Sequence, residues 1–173
     1  MMVVVDTQQM GAEAVSRLVG FLSVLLLLPL LSGCFPKSVL QVPSEPPQQR
    51  GDAAVQGQLL TQYERWKGTP YRAGGEDRAG FDCSGFVRTV YRDAFRLDLP
   101  RTSADQSRLG QNVRREEIRA GDILYFIDRG YDHVGIALEP MRFMHSSTSR
   151  GVIMSELDGY WSPRLLRVRR ILN

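Results

Sequence analysis

The stretch "GFDCSGFVRTVY", residues 80–91, joins a polar, glycine-containing segment to the start of an amphipathic helix. Its apolar residues recur at helical spacing and continue to Ala94, giving a buried stripe of Phe86, Val87, Val90, Tyr91 and Ala94. The pattern predicts a helix that begins at Asp82 or Cys83 and ends near Phe95. Asp82 is a favourable N-cap residue, so Cys83 is expected in the first helical turn.

Cys83 is surrounded by small and polar residues, whereas a core cysteine usually has bulky apolar neighbours. In a first turn, a thiol lies beside backbone N–H groups without intrahelical partners and at the positive end of the helix dipole, a setting that activates it as a nucleophile. The same N–H groups can stabilise an oxyanion formed during acyl transfer. We interpret the small residues Ser84 and Gly85 as leaving a substrate room to reach the sulfur. A small core filler is the alternative for Cys83.

A thiol nucleophile needs a base, and the chain contains only two histidines, His133 and His145. If "HVGIAL" and "RFMHSS" form a hairpin centred near Glu139, the two rings lie directly opposite each other on one sheet face. One ring could then act as the base toward Cys83 while the other orients it. A zinc site built from these three residues is the chemical alternative. The paired ligand spacing typical of such sites is missing, so we expect no metal and no cofactor.

The order of the predicted elements indicates an α+β fold. Val55, Leu59, Tyr63 and Trp66 predict a first helix that Gly68 terminates, and a short third helix should follow Pro100, with Ser103 and Gln106 as a capping box and Gly110 at its end. After Gly121 the chain changes to short β-rich runs: "DILYFI", "HVGIAL", "RFMHSS", "GVIMSEL" and "RLLRVRRIL". Helices followed by strands predict N-terminal helices packed on a mostly antiparallel sheet of five to six strands.

The N-terminal third is not globular in character. Leu18–Leu31 is uncharged and apolar but too short for a confident membrane span, and Arg17 precedes it, which favours a secretory signal over an uncut anchor. The following "LSGC" resembles the bacterial lipobox, so residues 1–33 are expected to be removed and Cys34 to be lipidated. Met10 is a plausible alternative start. Residues 34–51 contain four prolines and predict an extended tether, which leaves residues 52–173 for one domain.

Charge and cysteine content narrow the possible functions. The formal net charge is +3, and removing residues 1–33, which carry Asp6, Glu13 and Arg17, would make it +4. This modest charge, without interleaved aromatic residues, does not favour nucleic acid as a partner. With Cys34 lipidated, Cys83 would be the single free thiol of an exported protein, which excludes a disulfide framework and favours a chemical role.

Five segments in order, "FDCSGFV", "LPRTSADQ", "GDILYF", "DHVGIAL" and "FMHSSTSRGV", resemble NlpC-type cell-wall cysteine peptidases of the papain-like clan. The chain is most similar to the Spr/MepS-like murein endopeptidase lipoproteins of Gram-negative bacteria. The resemblance covers roughly residues 59–172 and implies a papain-like NlpC-type fold. The pairing of D-C-S-G with H-V-G-I some fifty residues later is the most specific part of the match.

The resemblance implies a role for each matching residue. Cys83 would be the nucleophile, His133 the base and His145 the polar residue that orients the base. Tyr71 in "TPYRAGG" would assist the oxyanion or the substrate, although an ordinary packed aromatic is an equal alternative. Asp82 and Ser84 match positions that hold a peptide's free amino end, and Arg101 belongs to a segment that edges the cleft. For Asp82 this role is compatible with helix capping, and Arg101 could be a solvated loop cation.

The implied activity is hydrolysis of peptidoglycan peptides by a lipid-anchored cysteine endopeptidase. The D-alanyl–diaminopimelate cross-link is the first expectation for the bond cleaved, and the γ-D-glutamyl–diaminopimelate bond is the alternative. A non-catalytic wall-binding lipoprotein and a papain-like acyl transferase are further alternatives. The expected partners are peptidoglycan and, through the lipid on Cys34, a membrane. Phe35 stands where an inner-membrane retention signal would place Asp, so by family analogy we expect an anchor in the outer membrane, with the protein facing the periplasm. The sequence does not reveal the oligomeric state, and a monomer is our expectation.

Overall fold

A six-stranded antiparallel sheet forms the centre of the computed structural model, which describes residues 47–172. Two short strands, β1 (Glu76–Asp77) and β2 (Gly80–Phe81), come first in the chain and pair with each other in a small sheet of their own. The strands of the central sheet are β3 (Gln111–Asn112), β4 (Ile123–Asp128), β5 (Tyr131–Glu139), β6 (Arg142–Ser147), β7 (Gly151–Glu156) and β8 (Leu165–Arg170). Their spatial order is β3-β8-β4-β5-β6-β7. Every neighbouring pair is antiparallel. The α+β class and the five strands expected after Gly121 are therefore confirmed. The two-residue strand β3 adds the sixth. Two 3₁₀ turns, Arg115–Glu117 and Ser162–Arg164, complete this half of the chain.

The first helix, α1 (Pro47–Trp66), is longer than expected. Gly68, with φ of +75°, follows its end as predicted. Residues 47–51, however, are helical rather than part of an extended tether. Proline is well suited to the first helical position, because its missing N–H would have no intrahelical partner there. The predicted signal segment, the rest of the tether and Cys34 lie outside the described residues.

Helix α2 (Cys83–Phe95) confirms the central sequence prediction. Asp82 is its N-cap and accepts a hydrogen bond from the Gly85 N–H, while Arg96 ends the helix in the left-handed conformation, with φ of 60°. Its stripe packs on the sheet, and four of the five predicted residues, Phe86, Val87, Val90 and Tyr91, are fully buried. Each such side chain contributes roughly 1.5–3 kcal/mol. The Tyr91 hydroxyl donates to the Gly121 carbonyl and so ties α2 to the start of the sheet.

The third helix, α3 (Ser103–Gln106), corrects two predictions. Its N-cap is Thr102, whose hydroxyl oxygen accepts from the Asp105 N–H at 3.2 Å, so the capping box does not consist of Ser103 and Gln106. The Gln106 amide instead donates to the Ser84 and Pro100 carbonyls. The helix also ends before Gly110. Gln106 is fully buried, with Nε2 paired to these two carbonyls and Oε1 without a partner among the described residues, so its side chain is not available to cap the helix.

The β5–β6 hairpin also differs from the prediction. Glu139 pairs with Arg142, so the loop is residues 140–141, and a bulge between Ala137 and Glu139 shifts the register. Ile136 then pairs with Met144, and this register, continued, puts Gly135 across from His145. His133 and His145 are therefore offset by two residues rather than directly opposite. An offset of two keeps both side chains on the same face, where diagonal neighbours can still touch.

The sheet separates two hydrophobic clusters. Val134, Ile136 and Leu138 of β5 face the cluster that contains α1, α2 and Cys83. The alternate face packs Phe126 and Phe143 with Trp161, and the two histidines lie against these aromatic residues. Among residues 47–172, no helix combines the length and apolarity needed to span a membrane.

Candidate active site

Cys83 lines an open cleft of about 530 Å³ at the N-terminus of α2, hereafter the thiol cleft. Five residues from the sequence analysis, Tyr71, Asp82, Ser84, Arg101 and Ser103, line it as well, together with Asp132 at the start of β5. Cys83 as a residue is 8% exposed, and its sulfur lies 3.4 Å from the Ser103 hydroxyl oxygen, within hydrogen-bonding distance. The fold thus brings the predicted nucleophile and the predicted substrate-binding residues to one cleft. Their roles stay predictions.

Asp82 does more than cap α2. Its carboxylate accepts hydrogen bonds from the backbone N–H groups of Gly85 (2.7 Å) and Gly74 (2.9 Å) and from the Arg101 guanidinium (2.6 and 3.0 Å). Burial opposes ionisation of this carboxyl. The Arg101 and backbone hydrogen bonds outweigh burial and hold the pKa of Asp82 below its usual value. Asp82 is therefore an ionised, fixed anchor beside the nucleophile.

Arg101 joins three parts of the thiol cleft. Besides Asp82, it donates to the Ser84 hydroxyl at 3.0 Å and forms an ion pair with Glu76 at 3.0 Å. Glu76 also pairs with Arg88 of α2 at 3.2 Å. Arg101 is thus a structural cation of the cleft wall rather than a freely solvated loop residue.

Tyr71 is held next to Cys83 by a short β-ribbon that precedes α2. Strands β1 (Glu76–Asp77) and β2 (Gly80–Phe81) pair with each other, and Tyr71 forms a bridge to Phe81. Burial, followed by the neighbouring Cys83 and Asp82, raises the pKa of Tyr71 above its usual value. The phenol is therefore protonated at neutral pH and can donate a hydrogen bond into the cleft.

Gly85 serves packing, which changes the interpretation given to it from the sequence. A Cβ at this position would collide with the Gly75 carbonyl oxygen and come within 3.0 Å of the Asp82 carboxylate. The same Gly75 carbonyl accepts the Asp82 N–H. The missing side chain therefore lets the segment around Gly75, just before β1, pack against the first turn of α2 next to the nucleophile.

We expect Gly85→Ala to destabilise the protein by about 1–3 kcal/mol, because a backbone carbonyl cannot yield to the added methyl group. Gly57→Ala is the matched control, since Gly57 lies inside α1 with nothing within 4 Å of its would-be Cβ. That substitution should stabilise by about 0.5–1 kcal/mol. Urea unfolding of both variants checks the prediction, and equal stabilisation by both would contradict it.

The two histidines line a second cleft of about 600 Å³, hereafter the histidine cleft. His133 Nε2 and His145 Nδ1 lie 2.8 Å apart, and His145 Nε2 lies 3.0 Å from the Ser155 hydroxyl. Trp161 stacks on the His133 ring, with 5.2 Å between ring centres, and meets the His145 ring edge-on at 5.1 Å. Together these contacts fix the position of both rings.

Burial determines the charge of the histidine pair. It lowers the pKa of His133 to about 4, although the nearby Asp128 carboxylate partly opposes this effect. Burial also lowers the pKa of His145 well below its usual value, and His133 and Arg150 add to the shift. Both imidazoles are therefore neutral at neutral pH, and His133 can accept a proton.

The thiol cleft and the histidine cleft meet at the start of β5. Successive residues of a strand point to opposite faces, so Asp132 lines the thiol cleft and His133 the histidine cleft. No hydrogen bond joins Cys83 to His133 among the residues that the structure describes. The structure thus brings the two histidines together, while the pairing of the thiol with His133 stays a prediction.

Two members of the site were missed by the sequence analysis, Ser155 and Trp161. Neither lies in a segment that suggests chemistry, and each reaches the histidines only through the sheet or the loop after β7. Ser103, predicted as part of a capping box, lies within hydrogen-bonding distance of the thiol. Within the described part of the chain, no group of three His, Cys, Asp or Glu side chains is arranged to hold a metal ion.

The thiol on the first turn of a helix that packs on an antiparallel sheet, and the histidine pair carried by that sheet, are the elements of a cysteine peptidase of the papain-like type. The NlpC/P60 family model matches residues 68–170, and the chain belongs to this family.

Two curated proteins of Escherichia coli K12 and one solved structure illustrate the similarity. "Murein DD-endopeptidase MepS/Murein LD-carboxypeptidase" is 41% identical over 69% of this chain, and the match spans 64% of that protein's length. "Probable endopeptidase NlpC" is 39% identical over 87% of this chain and 99% of its own. The structure of a Staphylococcus aureus protein described as similar to lipoprotein, NLP/P60 family, has a TM-score of 0.61 and 34% identity, covering 70% of this chain and 42% of its own.

Proposed function

We propose that this protein is a lipid-anchored cysteine endopeptidase that hydrolyses peptide cross-links in peptidoglycan. The observation that carries the proposal is the thiol cleft, which Cys83 on the first turn of α2 lines together with a wall of hydrogen-bonded polar side chains. The relative named murein DD-endopeptidase supports peptidoglycan as the substrate class. The D-alanyl–diaminopimelate bond is our first choice for the bond cleaved.

In the proposed mechanism, Cys83 attacks the amide carbonyl and forms an acyl-enzyme. The N–H groups of Cys83 and Ser84 are in the first helical turn, where no intrahelical partner exists, so they can stabilise the oxyanion. The Tyr71 phenol is a further donor at the same cleft. Arg101 holds Asp82, and Asp82 fixes the helix start that presents the sulfur.

The proposed base is His133, and the contacts of its ring define the required tautomer. Nε2 faces His145, so Nδ1 is the nitrogen left to take the thiol proton. Nε2 then carries hydrogen and donates to His145 Nδ1, and His145 Nε2 donates to the Ser155 hydroxyl oxygen. His133 lies on the sheet face opposite the cluster that contains Cys83, so proton transfer requires a rearrangement at the start of β5 that brings Nδ1 to the sulfur. The same nitrogen next protonates the leaving amine and finally activates water.

We also propose where in the cell the protein is located. The lipobox-like "LSGC" and the residue after Cys34 support a lipid anchor in the outer membrane, with the enzyme facing the periplasm. The proline-rich segment after Cys34 would let the domain reach the cell wall.

Digestion of purified Gram-negative sacculi tests the activity and the bond together. We expect the protein to convert cross-linked dimers into monomers with an intact four-residue stem and a free diaminopimelate amine, identified by mass spectrometry. Stems shortened to the L-alanyl–D-glutamate dipeptide would instead identify the γ-D-glutamyl bond as the target. Binding to sacculi without any released or converted fragment would overturn the enzymatic proposal in favour of a wall-binding protein.

A further inference from the structure

The histidine cleft carries two cations that the proposed mechanism does not use, Arg129 and Arg150. Both side chains are exposed. Neither forms a salt bridge or a side-chain hydrogen bond with any other described residue. Two unpaired guanidinium groups on the rim of one cleft are suited to binding an anionic group of a ligand.

The sheet topology places these arginines near each other. Arg129 is in the β4–β5 turn, between Asp128 and its partner Tyr131, and Arg150 is in the β6–β7 turn, between Ser147 and its partner Gly151. Because β5 and β6 are antiparallel neighbours, both turns lie at the same end of the sheet. Adjacent strands are about 5 Å apart, which puts the two turns on the order of 10 Å apart. Two arginine side chains can converge across that gap above the histidine pair.

The carboxylates of the histidine cleft do not neutralise this pair. Asp128 is bound by Arg164 at 3.0 Å and by the Tyr160 hydroxyl at 2.8 Å. Asp158 accepts the backbone N–H groups that follow it in its own loop. Glu156 is at the far end of β7 from Arg150, roughly 20 Å away along the strand, which exceeds the screening length of about 10 Å at 0.1 M salt.

The backbone of Arg129 supports a functional reason for its presence. Arg129 has φ of 51°, and Gly130 after it has φ of 84°, so both residues of this two-residue turn are in the left-handed region. Such turns strongly favour Asn, Asp or Gly, and an arginine there costs stability. Unfavourable conformations of this kind concentrate at sites where a side chain is needed.

Reaction chemistry assigns the two clefts to the two halves of the substrate. The acyl half becomes bonded to Cys83 and therefore occupies the thiol cleft, whereas the amine half takes its proton from His133 and leaves through the histidine cleft. We propose that Arg129 and Arg150 bind a free carboxylate on the amine half of the substrate. This inference rests on the proposed function.

The proposal discriminates between the candidate bonds. In a D-alanyl–diaminopimelate cross-link, the carbon that carries the scissile nitrogen also carries a free carboxylate. The same holds for any C-terminal amino acid released by a carboxypeptidase. In a γ-D-glutamyl–diaminopimelate bond of a four-residue stem, the corresponding carboxyl group is consumed by the next peptide bond. An arginine pair in the histidine cleft thus favours the D-alanyl–diaminopimelate cross-link and carboxypeptidase substrates over the γ-D-glutamyl–diaminopimelate bond.

The test uses two synthetic D-alanyl-diaminopimelate peptides that differ only at this group, one with the carboxylate and one with a carboxamide. We expect wild-type protein to cleave the carboxylate peptide with a kcat/KM at least about tenfold higher. Arg129→Asn and Arg150→Gln should each remove most of this preference by slowing the carboxylate peptide alone. Asn accepts positive φ, so the Arg129 variant should unfold at no lower temperature than wild type.

Arg96→Asn is the matched control, because Arg96 is also exposed and left-handed, with φ of 60°, but ends α2 about 20 Å from the thiol. It should keep the wild-type preference. Equal cleavage of both peptides by wild type, or a preference that survives in both cleft variants, would overturn the carboxylate site and leave the peptidase proposal standing. Cleavage of neither peptide would overturn the peptidase proposal and this inference with it.

Discussion

Replacing Cys83 by Ser should lower the rate of peptidoglycan hydrolysis by about 10⁴-fold or more, because a hydroxyl cannot replace the thiolate as nucleophile without a stronger base. The substitution changes one atom, and the hydroxyl can keep the contact with Ser103 that the sulfur makes at 3.4 Å. The variant should therefore unfold like wild type. Release of soluble fragments from sacculi, followed over time, is the measurement.

Cys34→Ser provides the control for the Cys83 substitution. The chain contains only these two cysteines, so the two variants separate the effect of the nucleophile from any effect of the other sulfur. On solubilised muropeptides, Cys34→Ser should retain the wild-type rate, while an alkylating reagent should inactivate it as it does wild type. Hydrolysis by Cys83→Ser within tenfold of wild type would exclude Cys83 as the nucleophile.

The thiol cleft was predictable from the sequence to the extent that its geometry is local. Asp82 and Cys83 are adjacent, and the preference of Asp for an N-cap is sufficient to place the sulfur on the first turn of α2. The further bonds of Asp82 to Gly74 and Arg101 span 8 and 19 residues, and only the folded chain reveals them. The same holds for Gly85, where a side chain would collide with the Gly75 carbonyl, ten residues earlier in the chain.

The histidine pair shows where periodicity stops being informative. Alternation counted from the Glu139–Arg142 pair would place His145 opposite Ile136, on the other face of the sheet from His133, and the one-residue register shift of the bulge is what puts the two histidines on one face. The alternation does not reveal the bulge between Ala137 and Glu139, since a bulge depends on how both strands bend around the core. The pair consequently touches on a diagonal, and this brings Trp161 against both rings.

The prediction of the residues that cap α3 was wrong for a related reason. Ser103 and Gln106 have the right spacing, but both side chains point inward, the first toward the thiol and the second toward the Ser84 carbonyl. Thr102 caps the helix on the solvent side instead, since its hydroxyl accepts from the Asp105 N–H and donates to the Asp105 carboxylate. The N-cap of α3 is thus one residue earlier than predicted, because Ser103 and Gln106 are buried and Thr102 and Asp105 are exposed to solvent. The same shift makes Ser103 a neighbour of the nucleophile.

His133→Gln is the second substitution expected to have a large effect. Glutamine has a comparable length and can hydrogen-bond to His145, but it cannot take the thiol proton or protonate the leaving amine. General acid–base catalysis contributes typically 10²- to 10⁴-fold, so kcat/KM for a soluble muropeptide should fall by about that factor. His145→Gln, which keeps the base and removes only its orienting ring, should cost less. A His133 variant with more than a tenth of wild-type activity would contradict the assignment.

The pH dependence of wild type tests the same residue independently. Burial lowers the pKa of His133 to about 4, so the neutral imidazole persists as the pH falls from 6.5 toward 4, and protonation below that range should remove its function as a base. Stability follows a related course: between these pH values the unfolded chain binds protons that the folded protein excludes, so the free energy of unfolding decreases as the pH falls through this window. Initial rates at pH values where circular dichroism shows folded protein separate the two effects. Loss of hydrolysis centred near pH 6.5 in fully folded wild type, and the same profile in His145→Gln, would show that the base titrates as a solvated imidazole and that the buried pair does not supply it.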